Sequence, residues 1–129
     1  MTHVYTAAVT LLVLLLYMVL TIQVSMARGK YRVLAPATTG DEMFERIYRV
    51  HMNTLEQMVF LLPAMWLYAF AMTDVGAAVG GLIWIAGRVI YAVTYVGNPR
   101  SRSAGYAIAL VGAVGLYVGA AYGVLRVLL

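Results

Sequence analysis

The long apolar runs of this chain are the feature that most restricts its fold. Four segments, at about 4–27, 41–72, 75–96 and 103–128, are each long enough to cross roughly 30 Å of hydrocarbon as a helix. A bilayer offers no water to backbone N–H and C=O groups, so a spanning segment has to be a helix or part of a closed barrel. The alternating strand patterns of a barrel are absent. The sequence therefore predicts an all-α membrane protein, built as a bundle of four transmembrane helices.

The composition agrees with one membrane domain. The 129 residues are 64% hydrophobic and only 11% charged, which is too apolar for a soluble domain of this size. The length predicts a single domain over 1–129. The net charge of +4 does not indicate a nucleic-acid partner, because the basic residues lie near predicted helix ends and form no separate basic domain. The absence of cysteine excludes disulfides and a protein thiol nucleophile.

The charges between the spans predict the orientation of the bundle. The first run lacks a basic leader, so we expect a retained span and not a cleaved signal peptide. The positive-inside rule places the first and third loops in the cytoplasm and both termini on the opposite side, because the second loop carries only Asp74. The short chain and the absence of a retention tail lead us to expect a bacterial plasma membrane. The basic loop residues are Arg28, Lys30, Arg32, Arg100 and Arg102.

A polar stripe on the second span enters the membrane. Arg46, Arg49, Asn53 and Glu56 recur at intervals of three or four, so at 100° per residue they fall within roughly 80° of arc on one helix. The helix continues directly into the apolar segment MVFLLPAMWLYAFAM. Polar groups in a membrane are costly unless they meet one another, water or a ligand. We therefore interpret the stripe as one wall of a polar site.

Local signals predict where two of the helices begin. Thr39 followed by Glu42 resembles a capping box, which places the start of the second helix near 40–41. Ser101 or Ser103 is expected to cap the fourth helix.

Two further patterns concern contacts between helices. Arg88 is expected about two turns inside the membrane, facing the interior, with Glu56 as its partner; a purely structural ion pair is the alternative to a functional one. Gly115, Gly119 and Gly123 form consecutive small-xxx-small steps, which predict close packing of the fourth helix.

The predicted topology brings a mixed set of polar side chains toward the cytoplasmic half of the membrane. Arginines can hold carboxylates through two hydrogen bonds, a carboxylate can hold an ammonium, and an asparagine offers a donor and an acceptor. A zwitterionic peptide with two carboxylates and one amine would suit this set. A metal site is not indicated, since His3 and His51 are isolated and oxygen ligands are few. The set comprises Arg28, Arg49, Asn53, Glu56, Tyr91, Tyr95 and Arg102.

The segment FERIYRVHMNTLEQ resembles the signature of the MAPEG family, the membrane-associated proteins of eicosanoid and glutathione metabolism. The similarity extends to ARGKYRVLAPATTG before it and GRVIYAVTYVGNPRSR after it, so three separated motifs agree. It covers most of the chain from Ala27 to Gly105.

The resemblance implies a homotrimer that binds glutathione between neighbouring subunits at the cytoplasmic side. Arg102 matches the catalytic arginine that activates the glutathione thiol for attack on hydrophobic electrophiles or lipid hydroperoxides. The expected activity is thus that of a membrane-bound glutathione transferase or peroxidase in detoxification. The positions that match glutathione-binding residues are Arg28, Arg49, Asn53, Glu56, Tyr91 and Tyr95.

Some residues depart from the family pattern, and two other functions stay open. Gly29, His51 and Gln57 differ from the residues of leukotriene-forming members, which favours a broader role. One alternative is a non-catalytic lipid-binding scaffold, the role of one branch of the family, although that branch lacks the activating arginine. The other is a small proton-coupled drug exporter that uses Glu56 as its intramembrane carboxylate.

Overall fold

A computed structural model describes residues 1–129 as four long helices without strands, which confirms the predicted architecture. Helix α1 spans Val4–Tyr31, α2 spans Glu42–Ala71, α3 spans Asp74–Gly97 and α4 spans Ser103–Leu128. A short 3-10 helix, Pro99–Arg102, leads directly into α4. Helix α1 ends about one turn later than predicted, because its last turn contains Arg28 and Lys30, and basic residues are favourable at a helix C-terminus.

The helix caps differ from two of the predicted ones. Asp41, and not Thr39, caps α2, since its carboxylate accepts a hydrogen bond of 2.9 Å from the backbone N–H of Phe44. No serine caps α4, because the chain enters that helix from the 3-10 helix. Instead, Asn98 caps the 3-10 helix through a 3.1 Å bond from the N–H of Arg100.

A single carboxylate fixes the first turn of α1 to the start of α3. Asp74 accepts hydrogen bonds from the backbone N–H groups of Tyr5 and Thr6, at 3.0 and 2.9 Å, and from the Thr6 hydroxyl at 2.6 Å. The first N–H groups of a helix have no partner inside the helix, so Asp74 supplies one from a neighbouring element. It holds α1 at the end of the bundle opposite to the α3–α4 connection.

The closest contact in the bundle is between α3 and α4. A Cβ atom at Gly87 would collide with the backbone of Ala109 and lie 2.7 Å from the carbonyl oxygen of Gly105, so the two backbones touch there. The glycines at this point of the contact, Gly87 and Gly105, were not singled out from the sequence.

The glycine steps predicted on α4 pack against α2 in two of three positions. A Cβ atom at Gly119 would overlap the ring of Tyr68, and one at Gly123 would lie 2.8 Å from the Cβ atom of Ala71. At Gly115, by contrast, an added Cβ atom would meet nothing within 4 Å, and this residue is exposed. Close packing within the chain is therefore confirmed for Gly119 and Gly123, whereas Gly115 faces away from the other helices of the chain.

The outer faces of the helices suit a membrane. All four helices are long and apolar enough to cross a bilayer, yet only 29 of the 129 residues are buried within the chain. The buried core is centred on Trp84, Leu61 and Met65 and reaches Val13 and Leu116. The many exposed leucines and valines around this core are placed where lipid can cover them, as expected of an integral membrane protein.

Candidate functional site

A polar pocket of about 370 Å³ opens at the end of the bundle where α1 connects to α2 and α3 connects to α4. We call this the basic end, because seven of the nine basic residues lie there. Helices α2, α3 and α4 and the 3-10 helix all contribute to the pocket. Its lining residues are Arg49, Asn53, Tyr91, Tyr95, Arg102, Ser103 and Tyr106.

The polar stripe of α2 supplies one wall of this pocket. Arg49 and Asn53 line it, while Glu56 lies one further turn along the same face. The guanidinium of Arg49 donates two hydrogen bonds to the carboxylate of Glu56, at 3.3 and 3.4 Å, and both side chains are about half-exposed. The pairing of Glu56 with Arg88 expected from the sequence was wrong, because Arg49 is on the same face of the same helix and reaches the carboxylate first.

Arg88 lies behind the pocket and connects α3 to α2. Its side chain is 1% exposed and donates a hydrogen bond of 2.9 Å to the hydroxyl of Thr54. Its guanidinium carbon lies 4.2 Å from the ring centroid of Tyr91, within the range of a cation–π contact. The Nε and Nη1 atoms have no hydrogen-bond partner in the chain. Arg88 therefore supports the tyrosine that lines the pocket without lining it itself.

The opposite wall consists of stacked tyrosines. The rings of Tyr91 and Tyr95 are 5.4 Å apart and nearly parallel, at 21°. They are one turn apart on α3, and Arg88 one turn earlier continues the same row. Across from them, the amide oxygen of Asn53 is buried and accepts no hydrogen bond. Asn53 thus brings an acceptor that the chain leaves unsatisfied to the wall of the pocket.

Arg102 stands at the entrance to α4. It is the last residue of the 3-10 helix, is exposed, and takes part in neither of the two ion pairs of the chain. The first N–H groups of α4 lie beside it, and a helix N-terminus carries a partial positive charge. The pocket therefore combines a free guanidinium with a helix N-terminus, which together favour an anionic group.

Two predicted site residues, Arg28 and Glu56, do not line the pocket, and Arg28 is the one that lies on α1, which contributes nothing to the lining. Its guanidinium donates hydrogen bonds to the backbone carbonyls of Val33 and Ala37, at 3.3 and 2.7 Å, and lies 5.0 Å from the ring centroid of Phe44. These contacts hold its guanidinium against the α1–α2 loop of its own chain.

Two lining residues, Ser103 and Tyr106, were missed from the sequence. Tyr106 follows Arg102 by four residues, so the two share a face of α4. This spacing was a usable signal, but Tyr106 stands among small apolar residues and carries no charge that would have drawn attention to it. No three His, Asp or Glu side chains come together in a way that could hold a metal ion.

Comparison with known proteins identifies the family of this chain. The model of the MAPEG family matches residues 6–122. An uncharacterized protein of Synechocystis sp. is 44% identical over 119 residues, which cover 92% of this chain and 87% of that protein. Leukotriene C4 synthase of Bos taurus is 37% identical over 76% of this chain, and microsomal glutathione S-transferase 2 of Homo sapiens is 34% identical over 69% of it.

These two named relatives are longer than the matched region, which spans 65% and 60% of their lengths. The family match, in contrast, covers α2 and α3 completely and most of α1 and α4. The three motifs that suggested the family lie where α1 meets its loop, along the stripe of α2, and from α3 into the 3-10 helix. The chain is a member of the MAPEG family.

Proposed function

We propose that the protein is a membrane-bound glutathione transferase, with glutathione peroxidase activity toward lipid hydroperoxides. The observation that carries the proposal is the position of Arg102, an unpaired guanidinium at the start of α4, in one pocket with Arg49, Asn53 and the paired tyrosines. Relatives named as a glutathione transferase and as leukotriene C4 synthase support glutathione as the co-substrate.

The pocket and the adjacent Glu56 offer partners for several polar groups of a glutathione molecule. The guanidinium of Arg49 can exchange Glu56 for a ligand carboxylate, because their contacts of 3.3 and 3.4 Å are long and half-exposed. The released carboxylate of Glu56 can then hold the ligand ammonium. After a change of side-chain rotamer, the unpaired oxygen of Asn53 can accept an amide N–H of the peptide.

Arg102 would make the sulfur reactive. A free thiol has a pKa of about 8.5, so little of it is thiolate at pH 7. A guanidinium and a helix N-terminus beside the sulfur both stabilise the thiolate. Lowering the thiol pKa by one unit requires only about 1.4 kcal/mol, which one well-placed arginine can supply.

The thiolate then attacks a substrate dissolved in the lipid. In the transferase reaction, a sulfur–carbon bond forms and the leaving group departs with its electron pair. In the peroxidase reaction, the sulfur attacks the outer oxygen of the hydroperoxide and the O–O bond breaks. The products are an alcohol and a glutathione sulfenic acid, which a second glutathione converts into the disulfide and water.

We further propose a homotrimer in a bacterial plasma membrane, with the site facing the cytoplasm. Arg28 then reaches the glutathione of a neighbouring subunit, since the contacts in its own chain keep it away from its own pocket. Seven basic residues at one end of the bundle support the cytoplasmic orientation of that end.

The exporter alternative loses its main support. Its mechanism requires a carboxylate enclosed in the bundle that exchanges protons, whereas the carboxylate of Glu56 is half-exposed beside Arg49. The scaffold alternative predicts lipid binding without turnover, so the same kinetic experiment decides it.

The experiment compares Arg102→Ala with Arg100→Ala, an exposed arginine two residues away that does not line the pocket. Conjugation of glutathione to 1-chloro-2,4-dinitrobenzene is measured in detergent from pH 6 to 9, and glutathione binding by calorimetry. We expect Arg102→Ala to reduce kcat at pH 7 about tenfold or more, because one unit of thiol pKa changes the thiolate fraction tenfold.

The loss should shrink as the pH approaches 9, where the thiol ionises without help, and glutathione should still bind. Arg100→Ala should behave like the wild type. An Arg102→Ala variant with unchanged kcat and pH profile would remove Arg102 from the mechanism, and a wild type that never conjugates glutathione would contradict the proposed activity.

A further inference from the structure

A second cavity, unrelated to the polar pocket, runs between α1 and α3. This groove measures about 660 Å³, within the range of about 300–1,000 Å³ that is typical of small-molecule sites. Eleven of its thirteen lining residues are hydrophobic, among them Leu16, Ala92 and Val93. Ala92 and Val93 lie beside Tyr91 in sequence but the polar pocket contains neither, so α3 separates the two cavities.

The groove extends through one leaflet of a bilayer. It reaches from Leu16 in the middle of α1 to Lys30 at its end, a rise of about 21 Å at 1.5 Å per residue. Half of a bilayer, including its headgroup region, is roughly 20 Å thick. The groove therefore starts near the membrane centre and opens at the level of the headgroups at the basic end.

The polar groups of the groove are placed for a phospholipid. Lys30 is the one charged residue in the lining, is exposed and forms no ion pair. The nearby Arg46 is already engaged, with Glu42 and with the backbone carbonyl of Val96. Gln23 lies about 10 Å deeper on α1, at 1.5 Å per residue, where an amide can donate to an ester carbonyl.

The positive charge of Lys30 indicates which kind of lipid headgroup the groove would bind. No carboxylate lines the groove, so nothing there would hold the ammonium of a zwitterionic lipid. A free lysine at the headgroup level attracts a lipid with net negative charge. We propose that the α1–α3 groove is a binding site for an anionic phospholipid, with an acyl chain along α1 and α3 and the phosphate on Lys30.

The test uses two matched pairs of variants. Lys30→Gln removes the cation, and Arg32→Gln is its control, an exposed cation two residues away that does not line the groove. Ala92→Phe fills the groove, and Ala86→Phe is its control, an exposed alanine on the same helix outside the lining. Protein is reconstituted in vesicles of equal phosphatidylglycerol and phosphatidylcholine and extracted in detergent, and the retained lipids are counted per chain by native mass spectrometry.

The wild type should retain phosphatidylglycerol over phosphatidylcholine about fivefold, the factor expected for one lysine at an anionic headgroup. Lys30→Gln should abolish this preference, Ala92→Phe should lower retention of both lipids by at least half, and both controls should match the wild type. Equal effects of Lys30→Gln and Arg32→Gln would overturn the proposal. So would unchanged lipid counts in Ala92→Phe, including the case in which that variant alters the oligomer size because a second copy covers the groove.

Discussion

At the scale of single residues, Asn53 on the wall of the polar pocket has an atom that the chain itself does not satisfy. The Oδ1 atom of Asn53 is buried without a hydrogen-bond partner, and an unpaired buried oxygen costs stability. In the glutathione complex that we propose, the same oxygen accepts an amide N–H. Asn53 is therefore expected to lower the stability of the free protein and to raise its affinity for the ligand.

Replacing Asn53 by alanine tests this opposition. We expect the free variant to unfold at a temperature equal to or above that of the wild type, because an unpaired polar atom has been removed. Its Kd for glutathione should rise about fivefold, since a net hydrogen bond contributes roughly 1 kcal/mol. Thermal unfolding and calorimetry measure the two effects. A parallel loss of stability and affinity would mean that Asn53 is structural.

Thr54, the next residue on α2, differs from Asn53 because its hydroxyl already takes part in two hydrogen bonds. It donates to the carbonyl of Val50 at 2.7 Å and accepts from Arg88 at 2.9 Å, in a fully buried position. Thr54→Val keeps the shape but leaves one more N–H of a buried guanidinium without a partner. We expect a loss of about 1–3 kcal/mol in the free energy of unfolding, measured by denaturant titration in detergent.

The control for Thr54→Val is Thr94→Val on α3. The Thr94 hydroxyl bonds only to the carbonyl of Ile90, four residues earlier, and has no partner on another helix. This substitution should change the free energy of unfolding by no more than about 0.5 kcal/mol. Equal effects of the two substitutions would show that the bond to Arg88 contributes nothing.

At the scale of elements, the shape of the pocket depends on how closely α3 and α4 approach. Tyr91 and Tyr95 come from α3, while Arg102 precedes α4. The contact that sets their separation is the glycine pair Gly87 and Gly105, where the two backbones touch. Because packed interiors do not deform freely, widening this contact has to move one wall of the pocket against the other.

Gly87→Ala should therefore lower both stability and activity. Its Cβ atom would overlap backbone atoms of α4, which cannot rotate away as a side chain could. We expect a lower unfolding temperature and at least a tenfold loss in the conjugation rate, since misplacement by about 1 Å can cost about a hundredfold. Gly115→Ala, which meets nothing within 4 Å, should be at least as stable as the wild type and fully active.

The same contact explains what could and could not be predicted from the sequence. The helices, and the arrangement of Arg49 and Asn53 on one face, follow from hydropathy and the helical period, which are local properties. The partner of Glu56 was predicted wrongly, because Arg88 on α3 was preferred to Arg49 on the same face of α2. The glycine pair of the α3–α4 contact was missed, because it depends on how closely two different helices approach. The helical period predicts which residues share one face of a helix, but not which neighbouring helix that face contacts.

At the scale of the whole molecule, the position of Arg28 determines whether one chain by itself contains the complete site. Arg49, Asn53, Tyr95 and Arg102 meet in one chain, whereas Arg28 is bound to the loop that follows α1 in that chain. In the homotrimer that we propose, each site combines the pocket of one subunit with Arg28 of the next. A heterologous contact of this kind closes into a ring of identical sites.

Mixed trimers distinguish a shared site from a site within one chain. Arg28→Ala and Arg102→Ala are each expected to conjugate glutathione poorly when expressed alone. The two forms are then expressed together with different tags, purified through both tags in sequence so that only mixed trimers remain, and assayed. In a closed ring that contains both forms, a subunit with Arg102 meets a neighbour with Arg28 at one of the three contacts, so about a third of the wild-type rate should return. Mixed trimers no more active than the average of their parents would place each site within one subunit and leave Arg28 with the structural role that its loop contacts already give it.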